Sequence, residues 1–396
     1  MPSLPTTTCT GCSTCAQLCS LHAISMVESS EGFKYPQIDK NKCTDCRLCE
    51  KRCPVLHAVT LNDCNIAAYA CINTDEHIRN ESSSGGIFSL CAEYIINAGG
   101  VVFGARFDES FSVVHGFART VEELSAFRGS KYVQSEIGNA YTECKVFVDS
   151  GIPVLFTGTP CQIGGLKAYL NREYDNLYLM DVICHGVPSP LLWKKYISWR
   201  TEQANSPVRR IAFRRKDCGW KRYSVAFSFE NATEYRETLD KDSYMQLFLR
   251  NVCLRESCYS CSFKTEHRCS DLTVADFWGV DTVCPEMFDD KGTSLVLVQS
   301  AKGQRLLEAI KVDLRMKEVS MTESIRFNSS YVKSVQRPRL RDTFFQDLEI
   351  KPLDFIFKRY GRDSICKRTG LLVKRGVRKV LGKKGAATVK KLLGKD

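Results

Sequence analysis

The run Cys9-x2-Cys12-x2-Cys15-x3-Cys19 recurs as Cys43-x2-Cys46-x2-Cys49-x3-Cys53, followed by Pro54. Three thiolates at three-residue spacing wrap a tight loop around one face of an iron–sulfur cubane. The fourth points across to the other cluster of a pair. One cluster is therefore expected to take Cys9, Cys12, Cys15 and Cys53, and the other Cys43, Cys46, Cys49 and Cys19. The fourth cysteine of each run is expected to open a short helix. Zinc takes paired C-x2-C elements rather than triplets, so a zinc knuckle fits this spacing poorly.

A later group lies at Cys253, Cys258, Cys261 and Cys269. The C-x2-C pair, Cys258 and Cys261, can grip two irons of one cubane from a single turn. It needs two further thiolates. Cys161 and Cys184 are candidates, as are Cys253, which would make a C-x4-C-x2-C triplet, and Cys269. Any of the four could instead be a small buried residue, the common fate of an isolated cysteine.

These residues sit in a chain of 396 residues that is 43% apolar and 26% charged, long enough for two or three domains. It has no apolar run near twenty residues, and MPSLPTTTCTGC lacks the basic start and apolar stretch of a signal peptide. Its 21 cysteines then read as metal ligands in a reducing cytoplasm. The net charge of +11 is concentrated at the end: residues 355–396 carry 14 Lys and Arg against two Asp, and the rest carries 42 basic against 43 acidic side chains. A nearly neutral body argues against a nucleic-acid partner. In the tail, Val377, Val380, Leu381, Val389, Leu392 and Leu393 make an apolar stripe among lysines. That pattern suits weak contact with an anionic membrane surface, although its glycines favour a solvated end.

The elements that must position the cysteines follow from periodicity. IFSLCAEYIINAGG has helical spacing closed by Gly99-Gly100, behind Ser82-Ser83-Ser84-Gly85-Gly86. VVFGARF, FSVVHGF, PVLFTG, LYLMDVI, IAFRR, YSVAFSF, LTVADF and SLVLVQS read as strands. QIGGLKAYL and the stretches around 191–203, 243–252 and 303–311 read as helices. If PVLFTG and LYLMDVI are parallel neighbours, Cys161 and Cys184 meet at the carboxyl edge of the sheet, where α/β proteins bind ligands. The serine–glycine stretch before a helix could cradle a phosphate, and Lys131 could neutralise a phosphate or a reduced flavin.

The paired runs resemble the bacterial dicluster ferredoxin, with Ser20 where that family usually has proline. Further along, SSSGG (82–86), GSKYVQS (129–135), FTGTPCQIGGL (156–166), DVICHGVPSP (181–190), GWKRYSV (219–225), SCYSCSFKTEHRCSDLTVADFWG (257–279) and KGTSLVLV (291–298) resemble the coenzyme F420 hydrogenase/dehydrogenase beta-subunit family. The resemblance implies an α+β ferredoxin-like N-terminal module followed by a larger α/β flavin-binding body with a mixed sheet. The expected segments are the dicluster domain at 1–60, the two parts of the family region at 61–190 and 191–345, and the basic tail at 346–396.

It also implies FAD beside a third [4Fe–4S] cluster, in addition to the two N-terminal ones. The flavin site would draw on Ser84, Gly85, Gly86, Ser130, Lys131, Thr157, Gly158, Thr159 and Gln162. The third cluster would take Cys161, Cys184, Cys258 and Cys261, since the first two of these lie in family motifs. His185 could donate to a cluster sulfur. The activity implied is a cytoplasmic oxidoreductase exchanging a hydride with coenzyme F420 or another soluble partner, and single electrons with ferredoxin or another redox protein. The resemblance also implies a place in polysaccharide biosynthesis, since related bacterial proteins look like companions of polysaccharide-synthesis genes. The alternative is an electron-transfer subunit serving a partner oxidoreductase.

Overall fold

The computed structural model describes residues 1–62 and 65–361. Residues 362–396 of the basic tail, with its apolar stripe, fall outside the described residues. No helix among those described is long and apolar enough to cross a membrane.

The N-terminal module is a hairpin, β1 (Ile24–Glu28) with β2 (Lys34–Ile38), between two short helices, Thr14–Leu18 and Leu48–Lys51. Each helix carries the third cysteine of its run in its first turn. The fourth cysteine follows the helix instead of opening it, a correction to the expected placement.

The body is built on an eight-stranded mixed sheet. In chain order its strands are β3 (Ala67–Asn73), β4 (Val101–Phe107), β5 (Val113–Ala118), β6 (Val154–Gly158) and β7 (Leu177–Val182), then β11 (Leu272–Asp276), β12 (Ser294–Val298) and β13 (Leu314–Val319). They lie side by side as β13-β3-β12-β11-β7-β6-β4-β5. The pairs β4–β6, β6–β7 and β7–β11 are parallel, and the outer pairs are antiparallel. Helices cover both faces, which explains why β6 reads as a continuous apolar run. Val154 and Phe156 face Tyr141, Ile163 and Leu166, whereas Leu155 faces Ile87, Leu90 and Leu306.

The connection from β7 to β11 carries a three-stranded antiparallel sheet, β8 (Val208–Arg215), β9 (Ser224–Phe229) and β10 (Glu234–Thr238). Its core is aromatic, with Trp193, Tyr196, Phe227 and Tyr244 packed together. The helices Arg341–Ile350 and Leu353–Tyr360 close this core through Phe344, Leu353, Ile356, Phe357 and Tyr360. They span the expected division at 345 between body and tail. The apolar spacing of 353–360 is that of a helix with one buried face.

The module is not a separate bead. Phe33, at the hairpin turn, is fully buried in the aromatic core, with its ring 6.2 Å from that of Phe345. Arg341, 2% exposed, clamps Glu31 at 2.8 and 2.6 Å. Thr14 Oγ1 donates to the carbonyl of Gly165 at 2.9 Å.

Candidate functional site

The two N-terminal cysteine loops share one backbone shape. Gly11 and Ser13 flank Cys12 with φ of 71° and 64°, and Asp45 and Arg47 flank Cys46 with φ of 54° and 57°. Left-handed residues on either side turn the loop sharply enough to aim successive thiols inward. Cys9, Cys12, Cys15 and Cys53 line one cavity. Burial pushes the Cys9 and Cys15 thiols up, and their thiol neighbours include Cys12 and Cys53. Cys49 has Cys46 and Cys19 as neighbours, and the backbone N–H of Ala23 donates to Cys19 Sγ at 3.3 Å. The fourth thiol of each run thus lies with the other run's triplet. Cys46 is exposed, and Cys9, Cys49 and Cys53 are buried.

A second cavity is lined by Cys161, Cys184, Cys258 and Cys261 together with Thr10, Arg255, Lys264 and Arg268. Parallel pairing of β6 with β7 brings Cys161 and Cys184 to one sheet edge. Thr159 and Gln162 form a capping box that starts the helix Pro160–Leu170, fixing Cys161 in its first turn. Cys258 lies on the turn Glu256–Ser260, and Cys261 directly follows it. Burial pushes Cys184 and Cys258 up to about 12, and Cys161 is raised as well. Four such thiols ionise together only around a cation centre, because burial and mutual repulsion both oppose the charged form.

Among the described residues no three His, Cys, Asp or Glu converge tightly enough for a single metal ion. A cubane spreads its thiolates over four irons and makes a wider demand. Cys253 is fully buried in the aromatic core, and Cys269 packs in the apolar cluster beside β6 and β7. His185 turns its ring nitrogens to Asn251 Oδ1 at 2.5 Å and Ser330 Oγ at 3.4 Å, away from the role expected of it.

The residues expected to hold flavin gather along the same carboxyl edge. β3 runs in the same direction as β11, so Ser82–Gly86 emerge there. Residues 130–136 reach the edge by pairing with the start of β5. Several of these residues hold the protein together. Ser130 donates from N and Oγ to Ser83 Oγ at 2.7 and 2.9 Å. Ser84 Oγ donates to the Thr293 carbonyl at 2.9 Å. Gly85 N donates to Ser294 Oγ at 2.9 Å, and a Cβ on Gly85 would stand 2.4 Å from the carbonyl of Cys71. Gly86, with φ of 84°, caps the helix Ile87–Asn97. Lys131 faces the carbonyls of Phe127, Arg128 and Gly129 at 3.3–3.4 Å, and burial lowers its pKa to about 7.

The loop Thr157-Gly158-Thr159 is held by a relay whose direction can be deduced. The Thr157 carbonyl can only accept, so His115 Nε2 donates to it at 3.1 Å. His115 Nδ1 must then accept from Ser135 Oγ at 3.0 Å. Ser135 Oγ in turn accepts from Gln162 Nε2 at 2.8 Å, and Gln162 Oε1 accepts from the Thr159 N–H at 2.9 Å. The one sequence signal for this relay was a lone histidine among apolar residues in FSVVHGF. Arg255, 1% exposed and without a comparable signal, joins the two cavities. Its Nε donates to the Cys9 carbonyl at 2.7 Å and its Nη2 to that of Lys34 at 3.0 Å.

Two stretches of the chain match known protein families. Residues 8–56 match the 4Fe-4S dicluster domain, and residues 153–324 match the C terminus of the coenzyme F420 hydrogenase/dehydrogenase beta subunit. Behind the dicluster match, residues 153–324 are thus similar to the C terminus of that beta-subunit family. The family region begins one residue before β6 and takes in all four thiols of the second cavity. The dicluster domain gives the N-terminal module two [4Fe–4S] clusters, and the whole is an iron–sulfur electron-transfer protein related to hydrogenase and dehydrogenase subunits. A comparison with curated proteins gave no match. Among solved structures the chain is similar to one from the xenon-derivatised F420-reducing [NiFe] hydrogenase complex of Methanosarcina barkeri. The identity is 18%, with 70% of this chain and 97% of that one covered and a TM-score of 0.44.

Replacing His115 by phenylalanine should break the relay at both ends and cost about 2–4 kcal/mol, the penalty for unpairing two buried polar groups. Glutamine, which can donate and accept, should restore part of it. Burial holds His115 down to about 4, whereas an unfolded histidine titrates near 6.5. Between those values the unfolded chain binds more protons, so this contribution to stability is present at neutral pH and falls as pH drops from about 6.5 towards 4. Chemical denaturation at pH 7 and pH 5 would show a smaller pH effect in the glutamine variant than in the wild type.

Proposed function

We propose that the protein is an iron–sulfur flavoprotein oxidoreductase with a third [4Fe–4S] cluster held by Cys161, Cys184, Cys258 and Cys261. The observation that carries this reading is the convergence of those four thiols on one cavity at the carboxyl edge of the sheet. This cavity adjoins the first cluster's cavity. Thr10 lines both, and the thiol neighbours of Cys161 include Cys12. The route for single electrons runs from the sheet-edge crevice to the third site, then to the Cys9/Cys12/Cys15/Cys53 site, then to the Cys19/Cys43/Cys46/Cys49 site. Cys46 is exposed at its end, where ferredoxin or another redox protein would exchange electrons.

FAD bound in the crevice would exchange a hydride with coenzyme F420 or another soluble partner and release electrons singly. The chain's own part is to position and to keep dry. His115 and Ser135 fix the Thr157–Thr159 loop, and Arg255 fixes the module against the body. Lys264, which donates to the carbonyls of His185 and Lys333 at 3.2 and 3.1 Å, sets a positive charge beside the third site. A cation there favours the more negative, reduced state of a cluster.

A second reading, an electron-transfer subunit serving a partner that holds the substrate, is favoured by the exposure of Cys46 and by a family region drawn from beta subunits. Anaerobically reconstituted protein, screened with deazaflavin, nicotinamides and nucleotide sugars, decides between them. Flavin bleaching or reoxidation by one of these compounds supports the oxidoreductase. A flavin-containing protein that answers only to an added redox protein supports the second reading. A brown protein that retains no flavin overturns the flavin assignment.

A further inference from the structure

Arg214 is the next-to-last residue of strand β8 and meets the carboxyl end of β11 at Asp276, and its side chain is 2% exposed. Its Nη1 is paired with Asp276, which also accepts from Trp220 Nε1 at 2.8 Å. Its Nε and Nη2 are buried without a hydrogen-bond partner. Among the other deeply buried arginines, Arg268 leaves only its Nε without a partner and has both Nη atoms bonded. Arg79, Arg255 and Arg341 each have all three guanidinium nitrogens bonded. On a planar guanidinium, Nε–H and Nη2–H point the same way, a two-pronged edge matched to a carboxylate or phosphate.

The surroundings of that edge are also set. The guanidinium carbon lies 4.3 Å from the ring centre of Tyr223 and 5.6 Å from that of Trp278, and Trp278 stacks on Trp220 at 5.0 Å. Tyr132, next to Lys131, is a further neighbour. Two residues on along the chain, Lys216 donates to the Ser84 carbonyl at 2.9 Å, tying this region to the Ser82–Gly86 loop.

We propose that Arg214 is an anion-binding residue, presenting its Nε/Nη2 edge to a two-oxygen anionic group of a ligand in the crevice. This rests on the reading of that crevice as the redox-ligand site. The anion has two sources: the diphosphate of a bound flavin nucleotide, or the acidic group of the soluble hydride partner.

The test uses the full-length, anaerobically reconstituted protein as wild type, Arg214→Gln and Arg214→Lys, with circular dichroism and iron content as folding checks. Flavin binding is titrated with FAD and with phosphate-free riboflavin. Steady-state KM is measured with a phosphorylated deazaflavin and its phosphate-free analogue. The neutral variant should lose about tenfold of the preference for the phosphorylated member of one pair, the effect of one lost charged hydrogen-bonding partner. Loss in the flavin pair assigns the cofactor's phosphates, and loss in the deazaflavin pair assigns the soluble partner. Lysine keeps the charge without the fork and should lose most of the same preference, so it serves in place of glutamine if the latter fails to fold.

Preferences unchanged in a folded variant overturn the proposal. If the wild type binds no flavin, the functional reading fails but the anion site is still testable. Thermal stabilisation by pyrophosphate or malonate in the wild type that is absent from the variants supports it, and no stabilisation of the wild type overturns it.

Discussion

Replacing Cys258 by alanine should lower the iron content of the anaerobically reconstituted protein from about twelve to about eight atoms per chain, at four irons per cubane. The same loss is expected for Cys161→Ala and Cys184→Ala, because each removes one of four thiols that share a cavity. Cys253→Ala should leave the iron unchanged, since its side chain packs in the aromatic core. Cys53→Ser should damage the cluster of Cys9, Cys12 and Cys15 and spare that of Cys43, Cys46 and Cys49. Iron analysis with electron paramagnetic resonance reads all of these. Full iron after Cys161→Ala and Cys184→Ala, with loss after Cys253→Ala, would transfer the ligand role to the triplet that begins at Cys253.

Gly32→Ala is expected to destabilise the protein by about 3 kcal/mol or more, summing the strain of a left-handed residue and that of overpacking. Gly32 has φ of 82°, and a Cβ there would stand 2.4 Å from Leu191 Cβ and 2.5 Å from its backbone nitrogen. Backbone cannot yield as a flexible side chain does, so the hairpin turn must lift and carry Phe33 out of the aromatic core. Gly99→Ala is the control. Gly99 has φ of 74° but nothing within 4 Å of the added atom, which leaves only the backbone strain. Equal losses of stability in the two variants, measured by chemical denaturation with iron content monitored, would refute the clash at Gly32.

The paired cysteine runs were legible because a fixed spacing is itself the geometry of a cubane loop. The strands of the body were legible because burial on both faces demands unbroken apolar runs, as in PVLFTG and LYLMDVI. β3, β10 and β13 were not. EYRET and LRMKEV are edge strands rich in charge and so lack the apolar pattern, and LRMKEV pairs with β3, some 240 residues earlier. The convergence of Cys161 with Cys258 depends on the path of the β7–β11 connection, which periodicity does not encode. Arg255 shows the same limit, since nothing in LRES predicts a side chain reaching the backbone of Cys9 and Lys34.

That reach across the chain bears on how the protein is made. Residues 1–60 leave the ribosome first, but Arg255 follows almost two hundred residues later and Arg341 later still. At 5–20 residues per second that is a wait of roughly 10–40 s for the first of them. Through that interval Phe33 has no core to enter, and the carbonyl of Cys9 has no guanidinium to meet. The nascent module is then a loose cysteine-rich segment. Unless cluster insertion itself fixes its loops, it needs protection from oxidants until the far end of its own chain arrives to close it.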